Sequence, residues 1–256
     1  MKSLSDSEEQ GGNCVQCKKE IKMKKRKIIL SCLCLLLSSS VLAEIMECFS
    51  FSVSTGQSNL VVSQFQSMAE WHETNGALPG IYVFNVGGQG EQVDYCLRWD
   101  DPASWAAFKD KAIVQMEKKI KTAKKPTGTF PAVLIASRLL TNIDPEVKAS
   151  TFKEPFVWNV LKLKPADGRE QEVLDRIRGF KKFAEKSGNR SEIYEDHDGG
   201  DGSYFLLTMN TSWKNFVAAQ LKGAEEKQYQ EFMSAGDRSM YADGQYYMQA
   251  NGHSVK

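Results

Sequence analysis

The residues with the clearest chemical potential form an acidic, glycine-rich loop in the second half of the chain. Glu195-Asp196-His197-Asp198 is followed directly by Gly199-Gly200-Asp201-Gly202. Carboxylate oxygens on such a loop are ligands that Ca²⁺ prefers, so Asp196, Asp198 and Asp201 are candidate cation ligands. Their spacing is not that of an EF-hand, and no glutamate follows at the distance that a bidentate ligand requires. The pattern favours a solvated hairpin turn, and no metal site is predicted.

A pair of cysteines offers a second kind of chemistry. Cys48 and Cys96 each lie on a predicted strand in the first half of the chain, and two cysteines in an exported protein can form a disulfide. A bridge between neighbouring strands of one sheet needs unusual geometry. We therefore expect two buried free thiols that pack as small hydrophobic side chains, with the disulfide as the alternative. Cys14-Val15-Gln16-Cys17 has no second pair, so it predicts neither a zinc site nor a redox site.

Aromatic side chains on the predicted strands are candidate ligand-binding residues. An apolar space between two sheets would bind a small apolar ligand, because the mouths of barrels are common ligand sites. The candidates are Tyr82, Tyr95, Trp99, Trp158, Tyr194 and Tyr204. No convergent set of His, Cys, Asp and Glu accompanies them, so neither a catalytic residue nor a cofactor is predicted. His72 lies beside the apolar stripe of a predicted helix and is expected to pack there rather than to bind haem or a metal.

A repeated pattern must position these candidates. Ser104-Trp105-Ala106-Ala107-Phe108 returns 108 residues later as Ser212-Trp213-Lys214-Asn215-Phe216. Trp and Phe three positions apart lie on one face of a helix, so all four rings are predicted to enter a core. Gly87-Gly88 and Gly199-Gly200 mark predicted turns at nearly the same offset. The sequence therefore predicts a tandem repeat.

Hydrophobic periodicity predicts one order of elements, β-α-β-β-α-β, in both halves. In the first half the predicted elements are strand 47–53, helix 58–73, strands 81–84 and 93–99, a helix that starts at Asp101-Pro102, and a strand that begins at 132–136. In the second half they are strand 156–163, helix 167–186, strands 191–194 and 204–209, helix 213–232 and a closing strand at 240–248. Asp101 is the predicted N-cap of its helix and Pro102 its first residue.

This order is the split βαβ, or ferredoxin-like, topology, which leaves one face of the sheet uncovered. In its element order and its Trp-x-x-Phe helices, the chain resembles the dimeric α+β barrel superfamily, the group that includes antibiotic-biosynthesis-monooxygenase-like proteins. The resemblance covers about residues 47–249. It implies an α+β fold in which two tandem ferredoxin-like repeats pack as a pseudo-dimeric barrel, fused in one chain where most members use two. It transfers no catalytic residue, because a fold does not by itself define a function.

The N-terminal segment has the pattern of a secretory signal. Lys24-Lys25-Arg26-Lys27 precedes the apolar run 28–37, and Val41 and Ala43 occupy the −3 and −1 positions. The pattern predicts translation from Met23, cleavage after Ala43 and export to the periplasm or the exterior. A membrane anchor is disfavoured because the run is shorter than the roughly 20 residues that span a bilayer. The predicted domains are the upstream segment with the signal peptide at 1–43, a first repeat at 44–141, a linker at 142–155, a second repeat at 156–249 and a tail at 250–256.

The balance of charge excludes two classes of partner. The chain has a formal charge of +1, and its leader is basic, so the mature chain is weakly acidic. Nucleic acid is excluded as a partner, and no stable attachment to an anionic membrane is expected. We expect an exported, non-catalytic small-molecule-binding or structural protein of the cell envelope. The alternative is a monooxygenase-like or haem-related enzyme that uses the cavity between the two sheets. The expected state is a monomer with an internal pseudo-two-fold axis, or a higher oligomer of it.

Overall fold

The computed structural model describes residues 43–87, 91–122, 130–198, 201–225, 227, 237–242 and 248–255. The side chains of 116–122, 197–198, 224–225 and 248–249 are outside this description, as are residues 1–42 with the predicted signal peptide, the C-x-x-C and Met23. Within the described residues the strands are β1 Ile45–Val53, β2 Leu78–Val86, β3 Gln92–Trp99, β4 Ala132–Asn142, β5 Val157–Leu163, β6 Arg190–Asp198, β7 Tyr204–Asn210 and β8 Met248–Val255. The helices are α1 Ser58–Thr74, α2 Pro102–Thr122, α3 Glu170–Lys186 and α4 Trp213–Glu225.

The eight strands close into a single antiparallel barrel. Their order around the barrel is β1-β3-β2-β8-β5-β7-β6-β4, and β4 pairs back with β1. Two seams join the halves of the chain, where β2 pairs with β8 and β4 pairs with β6. Closure leaves no unpaired strand edge among the described strands. The predicted α+β barrel is thus confirmed as an eight-stranded antiparallel barrel with helices outside it.

The halves also use the same ladder positions. Cys48 on β1 lies opposite Cys96 on β3 and Arg138 on β4. Val160 on β5 holds the corresponding place in the second half, between β7 and β8. Corresponding lumen positions include Cys48 and Val160, Ser50 and Lys162, Tyr82 and Tyr194, Asp94 and Phe205, Cys96 and Leu207, Arg98 and Met209, and Arg138 and Ala250.

Helices cover the outer face of the barrel. Helix α1 buries Val61 and Phe65 and helix α2 buries Phe108 against the strands of the first half. Helix α3 buries Val173 and Ile177 against the second half. These apolar residues recur at helical spacing, so each helix presents one apolar face to the sheet. Burial of each such side chain stabilises the fold by about 1.5–3 kcal/mol relative to exposure.

The two Trp-x-x-Phe segments are less buried than the sequence predicts. Phe108 and Phe216 are buried, whereas Trp105 is only half-buried and Trp213 is 41% exposed. The prediction that all four rings enter the core is therefore wrong for Trp213 and only partly right for Trp105. Residues three apart differ by about 60° around a helix, so when the Phe points at the sheet the Trp lies at the margin of the buried face. Trp213 instead packs edge-on against Phe216, with ring centres 5.6 Å apart.

The closing strand differs most from the prediction. It was expected at 240–248 with a tail at 250–256, but β8 runs from Met248 to Val255. Its inward positions are Ala250 and Gly252, whose small size removes the alternation of large apolar residues that marks a strand. A Cβ atom on Gly252 would lie 2.0 Å from the carbonyl oxygen of Val83 and 2.5 Å from Cζ2 of Trp158, so only glycine fits at this position. The absence of a side chain is here the feature that packs the barrel.

The connection between the halves is packed against the barrel. Residues 149–152 form a short 3₁₀-helix, and Val147 and Phe152 are buried. The predicted helix at 213–232 is described as far as Glu225, and residues 228–236 are outside the described part. The domain boundaries remain predictions. Among the described residues, none of the helices combines the length and the apolar character needed to cross a membrane.

Candidate functional site

The barrel lumen contains a cavity of about 260 Å³. Small-molecule sites in proteins span about 300–1,000 Å³, so this cavity suits a small ligand. Its polar and charged lining comes from the first half of the chain and comprises Ser50, Gln92, Asp94, Arg98 and Arg138. Its opposite wall comes mainly from the second half and comprises Trp158, Val160, Phe205, Leu207 and Ala250. The lumen therefore places charged groups against an apolar, aromatic wall.

Asp94 on β3 is the lumen carboxyl whose pKa the fold moves toward neutral pH. Gln92 Nε2 donates a hydrogen bond to Asp94 Oδ1 at 3.0 Å, and the Ser50 hydroxyl is a second hydrogen-bond partner. Burial in the lumen raises the pKa of Asp94 to about 6, although these two partners and the charge of Arg138 act in the opposite direction. A carboxyl whose pKa lies near neutral pH is suited to general acid–base work.

Arg138 on β4 is a second charged group in the lumen. Its Nε lies 3.7 Å from Oδ2 of Asp196, and its guanidinium carbon lies 5.7 Å from the ring centre of Phe205. The Asp196 side chain is buried behind it, and its Oδ1 has no hydrogen-bond partner among the described residues. Burial raises the pKa of Asp196, although the positive charge of Arg138 opposes the shift. The Arg138 head group is thus held by one long ion pair and faces the cavity.

Arg98 anchors the other end of the lumen. Its guanidinium donates to Glu44 Oε1 at 2.6 Å, to the Tyr194 hydroxyl at 2.8 Å and to the Tyr82 hydroxyl at 3.1 Å. It also lies 3.7 Å from the ring centre of Phe152. Burial alone would lower the pKa of Arg98, but the surrounding Tyr194, Tyr82 and Glu44 outweigh it and raise the pKa above its usual range. This fully buried network uses the Arg98 charge for structure.

The cysteines lie in the lumen wall between these charged groups. Cys48 and Cys96 are directly opposite each other on β1 and β3 with Cα atoms 4.1 Å apart, and the structure joins them as a disulfide. The preference for two free thiols therefore does not hold in the structure. The strand pairing brings both side chains to the same face at the same level, which the sequence alone did not establish.

Three of the six predicted aromatic residues lie in the lumen. Tyr82, Trp158 and Tyr194 line the cavity, as the ligand-site prediction requires. Tyr95 and Trp99 on β3 and Tyr204 on β7 instead face the helices outside the barrel, so their predicted placement is wrong. Side chains alternate between the two faces of a strand, and these three belong to the outer set.

Sequence reasoning missed the charged lumen residues. Along β3 the residues Gln92, Asp94 and Arg98 share one face, while the opposite face is apolar. Such a strand is ordinarily read as polar toward water and apolar toward the core. Barrel closure reverses that reading, because the helices cover the apolar face and the polar face turns into the lumen. The sequence did contain one indication of these lumen residues: polar and charged side chains occur at alternate positions of β3, on the same face as Cys96.

The acidic loop does not assemble as a cation site. Asp196 pairs with Arg138, whereas Asp201 accepts a hydrogen bond from Lys162 Nζ at 2.8 Å. Burial opposes the shift, but hydrogen bonds from Lys162 and Ser203 lower the pKa of Asp201 to about 2. The side chain of Asp198, the third candidate, is outside the described residues. Within the described part of the chain, no three His, Cys, Asp or Glu side chains are grouped as a metal site.

The described histidines lie outside the lumen. His72 packs beside Phe108 under the helices, with Nδ1 2.9 Å from the Tyr95 hydroxyl. This agrees with the expectation of a packed histidine. His253 lies on β8 at the ladder position of Val83 and Val157, and its Nδ1 is 3.0 Å from Asn85 Oδ1. The alternation of β8 places His253 on the opposite face from the lumen residues Ala250 and Gly252.

Comparison with known proteins identifies solved structures with a similar fold. No protein-family profile and no curated protein sequence matches the chain. A provisionally assigned monooxygenase from Fusobacterium nucleatum subsp. nucleatum aligns over 84% of this chain and 94% of its own, with a TM-score of 0.54 and 10% identity. An anthrone oxidase-like protein aligns over 84% and 92%, with a TM-score of 0.52 and 10% identity. A provisionally assigned chlorite dismutase aligns over 84% and 95%, with a TM-score of 0.50 and 13% identity.

These neighbours belong to the dimeric α+β barrel superfamily, so the resemblance seen in the sequence holds at the level of the fold. They also contradict the expectation of a non-catalytic binding or structural protein. The named neighbours carry the names of enzymes: a provisionally assigned monooxygenase, an anthrone oxidase-like protein and a provisionally assigned chlorite dismutase.

Proposed function

We propose that the protein is a monooxygenase-like enzyme that binds a small, largely apolar substrate in the barrel lumen and uses Asp94 as its general base. The observation that carries this proposal is the Asp94 carboxyl in a cavity of about 260 Å³, where burial raises its pKa to about 6. A base with such a pKa is ionised at neutral pH and still accepts a proton readily. The names of the fold neighbours indicate the reaction class.

The alternative of a haem-dependent enzyme is less well supported by the lumen. Haem iron is held in proteins by His, Cys, Met or Tyr side chains. Among the described lumen residues, both cysteines are in the disulfide, and Tyr82 and Tyr194 are bonded to Arg98. Met46 also lines the cavity, but methionine holds haem iron together with a histidine. No described histidine faces the lumen, and the cavity is small. These residues do not fit haem, so we propose chemistry in which the chain's own side chains act.

The proposed reaction begins with proton transfer. Asp94 removes a proton from a weakly acidic group of the bound substrate, and its own carboxyl becomes neutral. Dioxygen, the co-substrate, then oxidises the resulting electron-rich anion. For a phenol, the O–H hydrogen and the hydrogen of the ring carbon para to it are lost, so C₆H₅OH and O₂ become the quinone C₆H₄O₂ and H₂O, and no external reductant is required. The apolar wall formed by Trp158, Phe205 and Leu207 excludes water from the anion, which strengthens the electrostatic interactions within the site.

Oxygen uptake tests the proposal. Purified protein would be supplied with hydroxy-aromatic compounds of one or two rings in an oxygen electrode, and the variant Asp94→Asn would be compared with the wild type. Removal of a general base lowers the rate by about 10²–10⁴-fold. The rate of the wild type should rise with pH through an apparent pKa of about 6, because the base works only when ionised.

The matched control is Asp110→Asn. Asp110 is an exposed carboxylate on α2, so its substitution should leave oxygen uptake unchanged. Equal rates for wild type and Asp94→Asn on a substrate that consumes oxygen would contradict the role of Asp94. A purified protein that gains activity only with added haem would favour the haem-dependent alternative.

We also propose that the barrel is built from two tandem ferredoxin-like repeats and that the mature chain is exported. The β-α-β-β-α-β order in both halves and the matching ladder positions support the duplication. Strand β1 starts at Ile45, so cleavage after Ala43 would leave every described strand and helix in the mature chain. An intact mass from the native host that corresponds to a chain beginning at Glu44 is the expected result, and an uncleaved precursor would contradict it.

A further inference from the structure

We infer that the substrate presents an aromatic hydroxyl to Arg138, which stabilises the oxygen as it becomes negatively charged while Asp94 takes its proton. The substrate class is then a small hydroxy-aromatic compound. This inference rests on the proposed function, because it assigns the group that Asp94 deprotonates. It gives Arg138 the role of stabilising the charge that develops in the reaction, which is commonly a large contribution to catalysis.

The strand register places the two side chains on either side of β1. Arg138 on β4 lies opposite Cys48, and Asp94 on β3 lies opposite Ser50, the next inward-facing position along β1. Neighbouring strands are about 4.8 Å apart, so β3 and β4 are separated by about 10 Å across the lumen wall. Both side chains line the same cavity. A hydroxyl held between them can donate to the carboxylate and accept from the guanidinium.

Arg138 is the lumen cation with donors left for a ligand. Its only ion pair among the described residues is the 3.7 Å contact with Asp196, which is longer than a hydrogen bond. Arg98 differs, because its guanidinium donates to Glu44, Tyr82 and Tyr194. A guanidinium that faces a cavity of low polarity interacts more strongly with an anion than one in water. Arg138, rather than Arg98, is therefore placed to meet an oxyanion.

The opposite wall suits an aromatic ring. Phe84 and Trp158 pack edge to face with ring centres 4.8 Å apart, and Phe205 lies below Arg138. Aromatic rings prefer such offset or edge-on partners. The cavity of about 260 Å³ corresponds to roughly nine water volumes of ~30 Å³, which matches a compound of one or two rings. The aromatic wall and the cavity volume therefore favour a planar ring as the ligand. Arg138 and Asp94 on the other side favour a hydroxyl group on that ring.

A chromogenic phenol tests the inference at equilibrium. The probe is 4-nitrophenol, which absorbs visible light as the phenolate and not as the neutral phenol. Its ionisation would be titrated in anaerobic buffer with an excess of the full-length mature protein, so that no turnover is needed. An opposite charge nearby lowers a pKa by about 1–3 units. Bound probe should therefore ionise at a pH at least about one unit below that of free probe, which is a tenfold change in its ionisation equilibrium.

Substitutions of Arg138 and Asp94 should change the pKa shift of the bound probe in opposite directions. Arg138→Gln should remove the downward shift, and Arg138→Lys should keep part of it because the charge remains. Asp94→Asn should enlarge the shift, because it removes a neighbouring negative charge. Arg178→Gln is the matched control, since Arg178 is exposed on α3 beside Asp175 and should bind the probe like the wild type. Near-ultraviolet circular dichroism would verify folding, and Arg138→Lys carries the comparison if Arg138→Gln is unfolded.

Two outcomes would overturn the inference. Equal ionisation midpoints for wild type and Arg138→Gln would remove Arg138 from the site, and absence of probe binding by wild type would remove the hydroxy-aromatic class. Both are distinguishable from failure of the proposed function. A charge-dependent shift in the ionisation of the probe, without oxygen uptake on any hydroxy-aromatic compound, would support the binding site and refute the oxygenase. Oxygen uptake on other substrates, without that shift, would support the oxygenase and refute the hydroxy-aromatic binding site.

Discussion

The two halves of the barrel give their lumen opposite characters although they pair their strands in the same way. Asp94 and Arg98 on β3 occupy the ladder positions that Phe205 and Met209 occupy on β7. Arg138 on β4 corresponds in the same way to Ala250 on β8. The first half therefore carries the charged groups that line the cavity, and the second half supplies most of its apolar wall. Among the inward-facing charges of the second half, Asp196 is paired with Arg138 and Lys162 with Asp201.

This difference shows how one lumen can combine binding with chemistry. Charged groups inside a protein are costly unless they are paired, so they are concentrated where partners exist. Arg98 has Glu44 and both tyrosines, whereas Asp94 is less well compensated and its pKa rises to about 6. Tyr82 and Tyr194 are the exception to the asymmetry, because they occupy corresponding positions and both accept from Arg98.

The largest expected effect on the free energy of unfolding comes from replacing Arg98 with methionine, the residue at the corresponding position 209 of the second half. Arg98→Met leaves Glu44 buried without its cation, and breaking a buried pair in this way costs about 3–5 kcal/mol. The free energy of unfolding from chemical denaturation measures this loss. The double variant Glu44→Gln/Arg98→Met, which removes both charges, should be more stable than Arg98→Met alone. A loss below about 1 kcal/mol for the single variant would show that the pair is not buried in solution.

A smaller effect, which depends on pH, is expected at Asp94. Burial raises the pKa of Asp94 from its ordinary value of 3.8 to about 6, so the folded protein disfavours the ionised carboxyl. The stability associated with the neutral carboxyl is fully present below about pH 4 and is lost as the pH rises through 6. Asp94→Asn should therefore be more stable than wild type at pH 8, by at most about 3 kcal/mol, and no more stable at pH 4.

Urea denaturation at the two pH values measures this difference, with Asp110→Asn as the exposed control. A gain of equal size at pH 4 and pH 8 would show that the effect comes from packing rather than from ionisation. Wild type that is more stable than Asp94→Asn at pH 8 would mean that the ionised carboxylate is favoured in the folded state, and the raised pKa would be wrong.

The smallest effect is expected at Trp213, on a helix outside the barrel. Trp213→Ala should cost less than about 1 kcal/mol because the ring is 41% exposed, whereas Phe216→Ala should cost about 3–5 kcal/mol because that ring is buried. Trp105→Ala should fall between them, since Trp105 packs partly against Phe108 and its neighbours. The same denaturation measurement checks the order. A cost for Trp213→Ala that equals that of Phe216→Ala would show that Trp213 is covered in solution.

Local pattern predicted much of the architecture. The order of elements in both halves is confirmed, and so is the start of α2, where Asp101 Oδ1 accepts from the Ser104 amide at 2.8 Å. Caps and apolar periodicity act over a few residues, so a single sequence contains them in full. Strand β8 was misplaced because its lumen positions hold Ala250 and Gly252, and the need for glycine at 252 is set by Val83 and Trp158 on other strands.

The candidate site was only partly predictable. Tyr82, Trp158 and Tyr194 were expected in the lumen, but Asp94 and Arg138 were not. A polar face on a strand ordinarily points to water, and nothing within β3 indicates that the strands close around that face. The disulfide between Cys48 and Cys96 was hard to predict for the same reason, because it depends on which strands become neighbours and in which register they pair.

The sequence by itself determined the order of strands and helices, and that a strand such as β3 has one polar face and one apolar face. Only the tertiary structure decided which face is the inside. A strand's two faces are equivalent until its neighbours are chosen, and that choice depends on pairings between distant segments, such as β2 with β8 and β4 with β6. Closure of the barrel therefore turned a solvent-like polar face into a cavity, where desolvation raises the pKa of Asp94 and where Arg138 faces the same space.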